Sequence, residues 1–209
     1  MDKTTQAKMK KQTKPDGFDS YEELYMSWYL KELIEKNYVL EYRYQPYTIT
    51  LSEAQKYKEL KPLKTKFRED EHTFLQPHSY TPDFEILWSH KAIGVFCKLL
   101  SKEAVYSHRK SFFWAQNRLS TPVSVIDVKP IFDMQNMTRQ FIINQKWLYD
   151  KKELYCQKVI PEHLFKKTFT PKRYMITDKS GKARTIKYAP VISLQEFFIK
   201  NSTLEDLKL

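Results

Sequence analysis

The chain has 209 residues, 41% of them hydrophobic and 15% aromatic, with a formal net charge of +11 and a pI near 9.4. That is enough apolar material for one sizeable core and too much for a disordered chain, and the excess of cations points to a polyanionic partner, nucleic acid first and an anionic membrane surface second. No apolar run approaches the roughly 18 residues of a membrane span, and the N-terminus lacks the apolar segment of a signal peptide, so a cytoplasmic protein outside the membrane is expected.

In chain order, residues 1–17 carry five lysines, almost no apolar side chain and a Pro-Asp-Gly end, the composition of a flexible basic arm. "FDSYEELYMSWYLKELIEKNYV" begins with Asp19 or Ser20 as N-cap, puts Glu22 and Glu23 in the first turn, and repeats Tyr21, Leu24, Tyr25 and Trp28 at helical spacing. "VLEYRYQPYTITL" (39–51) predicts a strand with Pro46 at an edge or bend. Residues 52–78 are lysine-rich, show no clean period and predict an inserted excursion. "TPDFEILW" predicts a strand, "AIGVFCKLL" a strand or a helix start, and the whole of 90–122 a second insert before the short strand "PVSVIDVKP". Within that insert "SHRKSFFWAQNR" interleaves cations with aromatics, suiting either a nucleic-acid surface or an amphipathic packing element. "NMTRQFIINQKWLYDKKEL" predicts a helix and "YCQKVIP" a closing strand.

Residues 162–209 form a basic C-terminal extension. Its stretch "KRYMITDKSGKARTIKYAP" predicts a β-hairpin turning at Asp178 to Gly181, followed by a short helix capped by Ser193. Nine lysines and arginines stand against two acids from Lys158 to Lys187, so the hairpin is either a basic ribbon for phosphates or a solvated edge that discourages strand pairing. Cys97 and Cys156, the two cysteines, have no zinc spacing and predict reduced, buried thiols. The five histidines lack ligand spacing; His78 stands out because it precedes Asp83 by five residues.

Asp83 and Asp127 each interrupt, or open, an apolar strand, where an unpaired carboxylate costs several kcal/mol unless its pKa moves or a cation meets it. Lys129 follows Asp127 by two, so on a strand both leave the same face. If the two strands are neighbours, two carboxylates and an ammonium converge. Hard oxygen ligands of this kind suit Mg²⁺ or Mn²⁺, and the lysine is left to orient or help deprotonate a water, or to neutralise charge on a reacting phosphate. A structural Asp–Lys pair is the alternative.

Pro82-Asp83 followed by Asp127-Val128-Lys129 resembles the motif of the Pro-Asp…(Asp/Glu)-X-Lys nuclease superfamily, of restriction-endonuclease-like fold. The predicted order of helix, three strands, helix, strand matches that family's core of helix, three-stranded meander, helix, strand. "SYEEL" is similar to the Ser-X-X-Glu start of many members, which offers Glu23, or Glu22 beside it, to the metal site directly or through water. "QKWLY" supplies Gln145 and Tyr149, similar to a Gln-X-X-X-Tyr element of the recombination-nuclease branch; four apart, they share a helix face. The 44 positions from Asp83 to Asp127 are long for the family and imply an insertion, or a wrong pairing of aspartates.

The resemblance implies an α/β, Mg²⁺- or Mn²⁺-dependent DNA endonuclease with its core over 18–161. Asp83, Asp127, Glu23 and the backbone of Val128 would serve the metal and Lys129 the nucleophile or transition state. Substrate contacts would come from Gln145, Tyr149 and the basic residues Lys172, Arg173, Lys182 and Arg184. Branched or nonspecific DNA of phage replication or recombination is the expected substrate, with a homodimer or a recombination or replication protein as possible partners. The competing classes are a non-catalytic nucleic-acid-binding protein and an endonuclease subunit of a larger recombination or transposition complex.

Overall fold

The computed structural model describes residues 17–101, 111–132, 137–176 and 192–202. It is a mixed α/β structure with helices on both faces of a six-stranded sheet. The elements are α1 (Tyr21–Glu35), β1 (Val39–Tyr44), β2 (Ile49–Ser52), β3 (Gln55–Pro62), β4 (Phe67–Leu75), β5 (His78–Tyr80), β6 (Phe84–Trp88), β7 (Cys97–Leu99), β8 (Phe113–Arg118), β9 (Thr121–Val128), α2 (Met137–Lys152), β10 (Cys156–Val159), α3 (Pro161–Lys167), α4 (Lys172–Ile176) and α5 (Leu194–Ser202). α1, β1, β6, β9, α2 and β10 follow one another in the chain, with further strands between them.

β1, β6 and β9 pair antiparallel in that order, and β9 is shared along its far edge by two strands. Its first residues pair antiparallel with β8 (Arg118↔Thr121 to Gln116↔Val123), and its last pair parallel with β10 (Cys156↔Val125 to Val159↔Val128). Where β8 and β10 splay apart, ladder bonds give way to glutamine amides that can both donate and accept. Gln157 accepts from Trp114 N (2.8 Å) and donates to Phe112 O (3.0 Å), while Gln116 donates to Glu153 O (2.7 Å) and accepts from Tyr155 N (3.0 Å).

Alternation along the strands sorts the layers. Phe84, Ile86 and Trp88 of β6 and Ile126 and Val128 of β9 join the large core with α1, α3 and α5. Val125 turns to the opposite face, against Phe141 and Leu148 of α2, Leu51 of β2 and Tyr80 of β5. Asp83, Asp127 and Lys129 follow the parity of Val125, which puts these three residues on the α2 side. In the large core Trp88 is wholly buried, in contact with Phe113 (5.1 Å between centroids) and donating to Ser124 Oγ (2.8 Å). Trp88→Ala should cost about 3–5 kcal/mol and lower the midpoint of thermal unfolding by roughly 10 °C, read by circular dichroism; an unchanged melt would show that the site refills.

Some expectations are corrected and others are given a definite form. Residues 39–51 are two strands in two different sheets, because the chain turns at Gln45, in left-handed backbone (φ 44°), and continues through Pro46. The 52–78 insert is ordered, as the two-stranded β3–β4 ribbon and its flanks. Residues 90–122 hold β7 and β8, paired parallel, and Phe113 and Ala115 are buried, so the described part of the cation–aromatic stretch packs. Lys172–Ile176, expected as the first strand of a basic hairpin, is helix α4; the remainder of that hairpin, with Lys182 and Arg184, lies outside the described residues, as does the N-terminal arm through residue 16. Phe165, Phe169, Tyr174, Leu194 and Phe197 join the main core, so the described part of 162–209 is integral to the fold. Among the described residues no helix is long and apolar enough to cross a membrane.

Candidate active site

β6 and β9 are neighbours, and that adjacency brings the two aspartates together. Asp83 sits at a bend just before β6, its backbone tied on both sides, the N–H to Ile126 O (3.1 Å) and the carbonyl to the N–H of Gln45 (2.8 Å). Its carboxylate accepts the Val128 N–H at 2.6 Å. Asp127 is 3% exposed, and Lys129 Nζ donates to both of its oxygens, at 2.9 Å to Oδ1 and 2.8 Å to Oδ2. The stretch between Asp83 and Asp127 holds β7 and β8, and the two aspartates lie in contact across β6 and β9.

The electrostatics follow from burial. Loss of solvent first, then the charge of Asp127 and a hydrogen bond with it, push the Asp83 carboxyl up to about 9, against the opposing pull of Lys129. Burial works against the Lys129 ammonium, but Asp127, Asp83 and Glu23 outweigh it and hold its pKa above that of a free lysine. Paired with Asp127, Lys129 is therefore a cation throughout the neutral range. Tyr80 lies beneath the pair; burial and then Cys156, Asp127 and Asp83 raise its phenol far above the ordinary value, so it remains neutral.

Glu23 of α1 reaches the same end of the sheet from the opposite layer. Ser20 caps α1, accepting from Glu23 N (3.2 Å), while the Glu23 carboxylate accepts from Ser20 Oγ (2.8 Å), Asp19 N (3.0 Å) and Tyr44 Oη (2.7 Å). This reciprocal cap fixes Glu23, not Glu22, as the buried acid, and its charge is felt by Asp83 and Lys129. Both carboxylate oxygens of Glu23 are thus engaged within the cap and with Tyr44. Tyr44 was not singled out in the sequence, and nothing in its local pattern marks it; only the pairing of β1 with β6 brings it to Glu23.

A divalent cation fits the donor set in a limited way. Among the described residues no group of three or more His, Cys, Asp and Glu side chains is arranged to hold a metal. Two carboxyls in contact, however, require a proton or a cation between them, and Mg²⁺ characteristically takes one or two protein carboxylates and completes its octahedron with water and phosphate. Asp83 and Asp127 are that pair.

The other nominated residues lie elsewhere. Gln145 and Tyr149 do share a helix face, and both line a cavity of about 440 Å³ with Leu100 and Tyr155, but Gln145 donates to Cys156 O (2.6 Å) rather than to the acidic pair. His78 hydrogen-bonds Asn144 (2.9 Å) and stacks on Trp147, a packing role on α2. Lys172 and Arg173 line a separate cavity of about 990 Å³ beside the C-terminal half of α1, where Lys172 N–H bonds Glu32 (2.5 Å) and Arg173 covers the Trp28 ring. Glu85, overlooked inside an apolar strand, is buried and answered by Tyr47, Arg43 and Arg118, an ordinary neutralised acid.

Comparison with protein-family models, with curated proteins and with solved structures returns no match. The functional assignment therefore rests on the site's own geometry.

Proposed function

We propose that this protein has a restriction-endonuclease-like core and is a Mg²⁺- or Mn²⁺-dependent DNA endonuclease. The observation that carries the proposal is the contact of Asp83 with Asp127 on adjacent strands, with Lys129 paired to Asp127 on the same face. A structural Asp–Lys pair needs one carboxylate. The second, buried against the first at a cost, is what a cation-binding function adds.

Asp83 and Asp127 would hold the cation, with the Val128 carbonyl beside them as the family motif implies; the cation would polarise a phosphate oxygen and acidify a bound water. The chain's own contribution is positional and electrostatic. The Val128 N–H fixes the rotamer of Asp83, and Lys129, already fixed by Asp127, presents a permanent positive charge where negative charge builds on the phosphorane oxygens. Of the roles open to Lys129, charge stabilisation fits its pairing with Asp127 on the face of the two carboxylates. Water adds to phosphorus in line, the P–O3′ bond breaks, and a 5′-phosphate and a 3′-hydroxyl result. DNA is the substrate, as the net charge of +11 favours, and branched or unspecific sites are preferred.

The deciding experiment incubates the protein with supercoiled plasmid and with a four-way DNA junction in Mg²⁺, Mn²⁺ or EDTA, beside Asp127→Ala. Nicked or linear plasmid, or resolved junction, is expected in either metal and in neither EDTA nor the variant. DNA binding unaffected by EDTA, with no cleavage of either substrate, would overturn the proposal in favour of a non-catalytic binder or a subunit that depends on a partner.

A further inference from the structure

β3 and β4 form a sheet of their own, a two-stranded ribbon exposed almost throughout. Such a ribbon has little core, and isolated hairpins are marginal in water. Its shaft is an antiparallel ladder decorated by cross-strand ion pairs: Lys56 with Glu71, Lys58 with Glu69, Lys61 with Asp70. The tip is different. From Leu60 to Arg68 the sequence has four cations, Lys61, Lys64, Lys66 and Arg68, and no acid. Lys61 and Arg68 are drawn back to Asp70, whereas among the described residues none makes an ion pair with Lys64 or Lys66, which flank the turn closed by Leu63 N–H to Lys66 O (2.7 Å). Between these cations Phe67 is 72% exposed and Leu63 47%.

The base of the ribbon is tied to the candidate site. β2 and β5 pair below it, Leu51 and Tyr80 pack against the α2 side of the sheet, and three residues beyond Tyr80 the chain reaches Asp83. Eight residues at about 3.3 Å each carry the tip roughly 26 Å from that base.

We propose that the β3–β4 ribbon is a DNA-binding arm, in which Lys64 and Lys66 contact phosphates of a duplex lying against the site while Phe67 and Leu63 press into a groove. The arm rests on the nuclease assignment only for its substrate. A two-stranded ribbon fits a DNA groove, and apolar wedges flanked by cations are how such arms engage base steps. A second copy of this chain, itself at +11, is a poor partner for a tip with four cations and no acid.

The test measures affinity of the full-length protein for a labelled 30-base-pair duplex by fluorescence anisotropy in EDTA, from low to high salt. Lys64→Ala with Lys66→Ala should weaken binding roughly tenfold or more at 0.1 M salt and flatten the salt slope by about 1.8, two phosphate contacts' worth. Phe67→Ala should weaken binding about tenfold with the slope unchanged. These side chains are exposed, so the variants should melt with the wild type. Unchanged affinity and slope in the lysine variant overturn the arm, and so does sedimentation showing that Phe67→Ala converts a dimer to a monomer. Each assignment can fail alone: plasmid cleavage with an unaltered slope removes the arm and keeps the nuclease, and a flattened slope without cleavage does the reverse.

Discussion

Asp127→Asn is expected to bind duplex DNA as tightly as the wild type, within about threefold, and to lose cleavage by about a thousandfold or more. The substitution keeps the volume of a side chain that is 3% exposed and leaves an amide oxygen to accept from Lys129, so the strand should remain in place. What disappears is one negative charge of the pair that would hold the cation, and with it the electrostatic reason for Lys129 to stand where it does. Binding is carried by the positive surface, which this change leaves intact, and removal of a buried negative charge slightly favours a polyanion. Single-turnover cleavage in Mg²⁺ and anisotropy in EDTA separate the two effects. Wild-type cleavage by the variant would show that the Asp83–Asp127 pair is structural; loss of the folded state along with binding would show that Asp127 serves stability first.

Asp83→Asn should abolish cleavage too, yet make the protein more stable. In the folded chain burial, and then Asp127, hold the Asp83 carboxyl's pKa near 9, far above the ordinary value of about 4 in an unfolded chain. Between those values the folded state keeps a proton that the unfolded state has released. Stability is therefore greatest at the acid end of the window and declines as pH rises through it. An asparagine has no such titration. Its oxygen can still accept the Val128 N–H, and its NH₂ replaces the acid proton as donor to Asp127. In EDTA at pH 8 the variant should melt about 5 °C or more above the wild type, a gain on the order of a few kcal/mol, and the difference should shrink at pH 5. Millimolar Mg²⁺ should raise the wild-type midpoint and leave the variant unmoved, because a cation binds only where both carboxylates remain. A variant that melts below the wild type at pH 8 would show that the two aspartates are not in conflict. Sites that accept strain for function behave in this way when the strain is removed.

The same residues show how far local pattern reaches. α1 and a cap at Asp19 or Ser20, the strand character of β6 and β9, α2, β10 and the Ser193 cap of α5 were all legible, because each depends on residues within a turn or two of one another. The parity of Asp127 and Lys129 was legible for the same reason. The basic C-terminal hairpin failed at Lys172–Ile176: a short, charge-rich segment with Tyr174 and Ile176 alternating fits a strand, but burial of Tyr174 against Tyr25 and Phe165 favours a helical turn, and that contact spans the chain. The 52–78 segment reads as irregular because neither face of its ribbon is buried, so no hydrophobic alternation is written into it; its strands pair through the backbone, with charge pairs across them.

By itself, then, the sequence determined the polyanionic leaning, the main helices and strands, and the four residue types of the candidate site, Glu23, Asp83, Asp127 and Lys129. Tertiary structure alone decided the rest: that β6 lies beside β9 so that two distant aspartates touch, that Glu23 rather than Glu22 turns inward to Tyr44, and that Gln145, Tyr149, Lys172 and Arg173 belong to other surfaces. The physical reason is range. Caps, helical faces and strand parity are set by backbone geometry over a few residues, whereas the meeting of two like charges depends on which strands pair, and that is settled by burying the whole apolar surface at once.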